Sequence, residues 1–145
     1  MFTARFVAVD DGAEILTAGS DGTVRTWDAA TGRPRKTFRG DSHFLADAAL
    51  SPDGSLIVAG GGDGVLRVWS RASGRLLWML RAHASFVVGV HYEGDDLVTR
   101  GFGGDIARWV LPSADDVIEA CRASSCAGTE TEKWLGEPTR VIIRR

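Results

Sequence analysis

AGSDGTVRTWD (Ala18 to Asp28) and GGGDGVLRVWS (Gly60 to Ser70) are two copies of one pattern, 42 residues apart. That shift lays Asp21 on Asp63, Gly22 on Gly64, Arg25 on Arg67 and Trp27 on Trp69. It holds beyond the tryptophan, where Gly32-Arg33 meets Gly74-Arg75, Arg39 meets Arg81 and Phe44 meets Phe86. A third copy, RGFGGDIARWV (Arg100 to Val110), follows 40 residues later and sets Trp109 on Trp69. The two-residue shortfall falls in the loop at Glu93 to Asp95, which is shorter than the SPDG of Ser51 to Gly54. A fixed period near 40 residues is the mark of a repeat architecture and decides the fold before any single element does.

Within a repeat the signals are of strands. ADAALS (Ala46 to Ser51), SLIVAG (Ser55 to Gly60), VLRVWS (Val65 to Ser70) and RLLWMLR (Arg75 to Arg81) are short and β-rich. SPDG, GGDG and RASG separate them, with Gly, Asp and Pro supplying turn geometry. Four short antiparallel strands per 42 residues make the blade of a β-propeller. No 3.6-residue periodicity appears before Ser113, which argues against helical solenoids of similar period.

SPDG, GSDGTVRTWD with its closing Trp27-Asp28, and RAHASFVVGV (Arg81 to Val90) together resemble the WD-repeat family over about Ala4 to Val110. The resemblance implies a His, Ser/Thr, Asp and Trp bracing each blade by hydrogen bonds. Carried over by position, the first blade has Thr17, Asp21 and Trp27 and no His. The second has Asp63 and Trp69, with Asp41 at the His position, Ala59 at the Ser/Thr position and His43 two residues on. The third has His83, Thr99 and Trp109, with Gly103 in place of the Asp and Asp105 nearby. The family's propellers usually have seven or eight blades, and three cannot close a ring.

The expected architecture is all-β: a partial β-propeller of three WD-repeat blades, about 4–42, 43–84 and 85–110, with a short α-helical tail over 111–145. In the tail, Ser113 and Asp116 read as a capping box ahead of an apolar stripe of Val117, Ile118 and Cys121. Thr129 with Glu132 reads as a second helical turn carrying Trp134. Blade three lacks its regular outer strand, and Val141 to Ile143 is the segment able to return to that edge. The tail is similar to the helical ends of bacterial WD-repeat arrays, which often close signalling ATPases or kinases. The first and third blades each have one flank without a neighbour, so self-association or further blades are expected to cover apolar surface there.

Charge excludes some function classes. The 17 basic and 19 acidic residues give a net charge of −2. They are interspersed, so nothing steers the chain to nucleic acid or an anionic membrane. No apolar run approaches a membrane span. Of the basic residues only Lys36 and Lys133 are lysine, a bias that fits a GC-rich bacterial genome. The N-terminus lacks a secretory pattern and the two cysteines, Cys121 and Cys126, lie in the tail, so a cytoplasmic setting is expected.

Catalytic patterns are missing too. His43, His83 and His91 fall on separate segments without zinc spacing, so no metal is expected. Cys121 and Cys126 lack CxxC spacing. Gly60 to Gly64 is glycine-rich but opens no helix and has no following Lys-Ser/Thr, so no phosphate cradle or cofactor is expected. Asp95-Asp96 and Asp115-Asp116 read as a loop and a helix N-terminus rather than paired catalytic carboxylates.

The expectation is a non-catalytic module that binds other proteins or further blades, read as the C-terminal part of a larger propeller in a bacterial signalling protein. A short chain closing a ring by self-association is the alternative, and an enzyme the poorest reading. In the resembling family partners dock on the loops joining outer to inner and second to third strands. On those loops Phe44, Phe86, Arg100 and Phe102 stand out, because aromatics and Arg dominate binding hot spots. Simple packing of Phe44 and Phe86 between blades competes with that role.

Overall fold

The computed structural model describes residues 3–9, 12–40 and 44–111, and the backbone of 139–143. Every regular element in it is a strand. The first sheet takes β1 (Thr3–Val9), β2 (Gly12–Ala18), β3 (Thr23–Asp28) and β4 (Pro34–Arg39). The second takes β5 (Leu45–Leu50), β6 (Leu56–Gly61), β7 (Val65–Ser70) and β8 (Leu76–Arg81). The third takes β9 (Val87–Glu93), β10 (Asp96–Gly101), β11 (Ile106–Val110) and β12 (Thr139–Ile143). Each sheet is a four-stranded antiparallel meander in chain order.

β12 supplies the outer strand of the third sheet, pairing Val141 with Arg108 and Thr139 with Val110. Val141 to Ile143 thus returns to the edge as its sequence suggests. Of the helical tail expected over 111–145, residues 112–138 lie outside the described residues, and with them Cys121, Cys126 and Trp134. His43 lies outside them as well. Residues 139–143 are strand, not helix.

Register makes the three sheets comparable residue by residue along their central strands. Phe6 pairs with Ile15 and Ile15 with Trp27 in the first. Leu50, Ile57 and Trp69 occupy the same places in the second, and Tyr92, Leu97 and Trp109 in the third. Side chains alternate faces along a strand, so each trio lies on one face of its sheet. On the other face, Ala18, Gly60 and Arg100 correspond, as do Thr26, Val68 and Arg108.

The core lies between sheets. Leu16, Val24 and Phe38 of the first sheet pack on Ile57, Ala59 and Trp69 of the second. Leu66, Val68 and Trp78 of the second pack on Val90, Leu97, Ala107 and Trp109 of the third. The second sheet is covered on both faces, so its central strand LIVAGG is buried throughout and carries no polar alternation. Gly60 is small for a reason: a Cβ there would meet Val87 Cγ1 of the third sheet at 2.3 Å. At Gly64 (φ +74°) a Cβ would meet the His83 and Ser85 carbonyls at 2.4 and 2.5 Å. That closeness lets the Gly64 carbonyl accept Ala82 N–H (2.9 Å) and His83 N–H (3.1 Å), tying the turn of the second sheet to the loop entering the third.

Polar contacts add to the joints between sheets. Asp47 on β5 has a buried carboxylate whose Oδ2 accepts Arg5 Nη2 of the first sheet at 2.6 Å and Val90 N–H of the third at 2.8 Å. At the opposite end, buried Glu14 Oε1 accepts Arg35 Nη1 (3.1 Å) and Arg71 Nη2 (3.0 Å). Lys36 Nζ donates to the carbonyls of Arg71 and Ala72.

Candidate functional site: the loop face and its bracing

The third sheet holds the most complete polar network. His83 stands in the loop between β8 and β9 with a buried ring. Its Nδ1 bonds the Asp105 carboxylate and its Nε2 lies 2.9 Å from Thr99 Oγ1. Thr99 Oγ1 also accepts Trp109 Nε1–H at 3.0 Å. A carboxylate only accepts, so Nδ1 carries a proton, while the Thr99 hydroxyl also lies 3.5 Å from the Ala107 carbonyl that can accept from it. The result is a chain of contacts from Trp109 through Thr99 and His83 to Asp105.

The other sheets carry parts of it. In the first, Trp27 Nε1 donates to Thr17 Oγ1 at 3.0 Å, as in the third sheet, but no imidazole follows among the described residues. Asp21 instead binds the Thr23 hydroxyl (2.7 Å) and Arg25 Nη2 (2.5 Å). The Thr23 bond, helped by Arg25, holds its carboxyl below the ordinary value. In the second, Ala59 offers Trp69 no hydroxyl. Asp63 binds the buried Arg67 through both oxygens, at 3.2 and 2.6 Å. Partial burial raises the Asp63 carboxyl, and the Arg67 and Val65 donors outweigh that and leave it lowered. Of the expected bracing residues, then, His83, Thr99 and Trp109 converge and Thr17 and Trp27 pair. Asp21 and Asp63 serve an arginine on β3 and β7 instead.

These braces fix the loops that carry the aromatic side chains. Gly62 N–H donates to the Phe44 carbonyl at 3.3 Å, and Phe102 N–H to the Phe86 carbonyl at 2.8 Å, one bond repeated in consecutive sheets. Phe102 occupies the place of Gly62 and so adds a third ring. Phe44 and Phe86 meet edge-on at 5.8 Å, and Phe86 and Phe102 at 6.0 Å. Phe86 is 46% exposed and Phe102 71%. A purely interior role for Phe86 is excluded by that exposure. Arg100 does not join the trio. It stands on the far face of the third sheet beside Gly89, in a cavity of about 560 Å³ shared with Val88 and Arg108.

The described histidines are otherwise occupied: His83 in the network above, and His91 against Glu93 at 3.2 Å. Among the described residues no three His, Cys, Asp or Glu side chains gather. No described helix is long and apolar enough to cross a membrane.

Residues 5–28 and 32–70 match the family WD40, "WD domain, G-beta repeat". Those two segments are similar to WD repeats. The matched segments fall in the first two sheets, which are built like propeller blades, and the third, outside them, repeats their register and their tryptophan. WD repeats generally mediate protein–protein interaction and are typically non-catalytic. No curated protein matches the chain.

Sequence reasoning missed Asp47, Glu14 and buried Arg67. The only signal for Asp47 is a lone acid inside the apolar run ADAALS. Glu14 and Arg67 sit in the repeat without any mark of burial.

Proposed function

We propose that the chain is a non-catalytic protein-interaction module, the C-terminal part of a larger WD-repeat propeller in a cytoplasmic bacterial signalling protein. Its partner is another protein, docking on the loop face through Phe44, Phe86 and Phe102. The observation that carries this is the contiguous ring trio, two of whose members, Phe86 and Phe102, are exposed. Grouped exposed aromatics are uncommon on a surface with no partner and are the side chains that anchor interfaces. Arg100, around the edge of the third blade, would contact only a partner that wraps past the loops. The interspersed charge of the chain fits a partner recognised by apolar contact rather than by field.

A photo-crosslinking residue placed at Phe102, and separately at Ser73 in a turn remote from the trio, tests this in the source cells. Discrete adducts at 102 that disappear with Phe86→Ser, and none at 73, are expected. Equal labelling at both positions overturns the loop-face assignment.

A further inference from the structure

The outer strand of the second sheet leaves an apolar edge where that of the first is guarded by charge. β4 reads PRKTFR, and Pro34, Arg35, Lys36 and Arg39 are the kinds of residue that keep a further strand from pairing. β8 reads LLWMLR, with no charge and no proline from Leu76 to Leu80. It stands at the end of its sheet beyond β7, so part of its main-chain groups points away from any described strand. Among the described residues no turn or loop hydrogen bond reaches them.

Packing holds β8 in place and divides its side chains. Trp78 pairs with Val68 and Leu80 with Leu66, on the side that meets the third sheet, and Trp78 is buried there. The register shifts between Val68 and Trp69, so Leu76 pairs with Trp69 and Met79 with Arg67, on the side of the first sheet. Leu76 and Met79 nevertheless stay 40% and 41% exposed. Arg75 and Arg81 bracket this apolar run. Both are exposed, and no carboxylate among the described residues pairs with either.

We propose that β8 takes up an extended segment of another protein as a further strand, at a surface separate from the loop face. The segment is an apolar stretch between two acidic residues about 20 Å apart, the span from Arg75 to Arg81 at about 3.3 Å per residue. Main-chain bonds to the outer edge supply affinity and alternate side chains supply specificity. Apolar groups of the segment cover Leu76 and Met79, and its two carboxylates meet the two guanidiniums in charge-assisted bonds. A second copy of β8 is a poorer occupant. In the antiparallel register that sets Trp78 against its own copy, Arg75 falls opposite Arg81, and like charges directly opposite repel.

The probe is a dye-labelled peptide of alternating valine and threonine with a glutamate at each end, the glutamates spaced as Arg75 and Arg81 are. Titrated against the full chain, it is expected to bind saturably and to slow exchange of the outward amides of β8 by about tenfold or more. Arg75→Glu combined with Arg81→Glu should weaken binding about tenfold, and a peptide ended by lysines should recover it on that variant. The lysine peptide should bind the native chain about as weakly as the glutamate peptide binds the variant, a comparison that holds even where the variant fails to fold. Absence of saturable binding, slowed exchange on a strand other than β8, or equal binding of both peptides to the native chain would overturn the proposal. A native chain whose outward β8 amides are already slow would overturn it too. Sedimentation then assigns the edge to a second copy if the chain is dimeric, and to another part of the same chain if it is monomeric.

Discussion

Trp27 and Trp69 hold the same place in consecutive blades, so replacing each with alanine isolates the effect of a covering neighbour. Trp69 is 1% exposed, with the Phe38 ring against it and Ile57 beneath. Burying an aromatic side chain removes about 150–250 Å² from water, which at about 25 cal/mol per Å² corresponds to about 4–6 kcal/mol as an upper bound. Measured losses for buried Trp→Ala run about 3–5 kcal/mol, and Trp69→Ala should fall in the upper half of that range. Trp27 is more exposed, with up to about a third of its surface in water, so its transfer contribution is smaller, about 3 kcal/mol. It also loses the bond to Thr17, but that hydroxyl is only part-buried and rebinds water, adding under about 1 kcal/mol. Trp69→Ala should therefore destabilise by about 1–2 kcal/mol more than Trp27→Ala. Urea unfolding followed by far-UV circular dichroism, with equal m-values required, measures the gap. Equal losses, or a larger one at Trp27, would refute the claim that no described sheet covers this face of the first.

Two further outcomes follow from the polar contacts. Asp47→Ala leaves the Val90 N–H buried without its acceptor and frees Arg5, so a loss of about 2–3 kcal/mol is expected. The Val90 amide should become the most perturbed backbone resonance outside β5, and its staying in place would count against the contact. The Arg35 guanidinium, with Thr31, holds the Asp28 carboxyl down at about 2 from its usual 3.8. Because the folded value is depressed, this contribution is full above about 4 and is lost as pH falls toward 2. Carbonyl-detected NMR of Arg35→Ala should show Asp28 titrating closer to 3.8, and an unchanged midpoint would remove Arg35 as the cause.

Much of the fold could be read from the chain because its signals are periodic. A 42-residue shift places Trp27 on Trp69, and the register confirms the two as the same position of a sheet. The ring trio was legible in part: Phe44 and Phe86 align by the repeat, and Phe102 draws notice by replacing Gly62. What could not be read depends on pairings that no local pattern encodes. Asp47 reaches partners 42 and 43 positions away, and Glu14 one 57 away. Arg67 follows Asp63 at the ordinary spacing of an exposed pair, and its burial comes from Gly40, whose missing side chain leaves room for the arginine stem. By repeat position Arg100 opens the loop between the second and third strands, but it is the last residue but one of β10, and strand alternation turns it onto the flank.

Asp47 also bears on how such an array comes apart. Stacked repeats behave approximately as a row of units, each with its own stability and a coupling term to its neighbours alone. Apolar packing between blades supplies a separate coupling at each joint, so a row could lose its units one at a time. A single carboxylate from the middle unit that holds both an outer unit's guanidinium and the other's amide belongs to both joints at once. It acts as a three-body term, making the departure of either end unit weaken the hold on the other. Three blades joined in this way melt closer to all-or-none than a row with pairwise couplings alone.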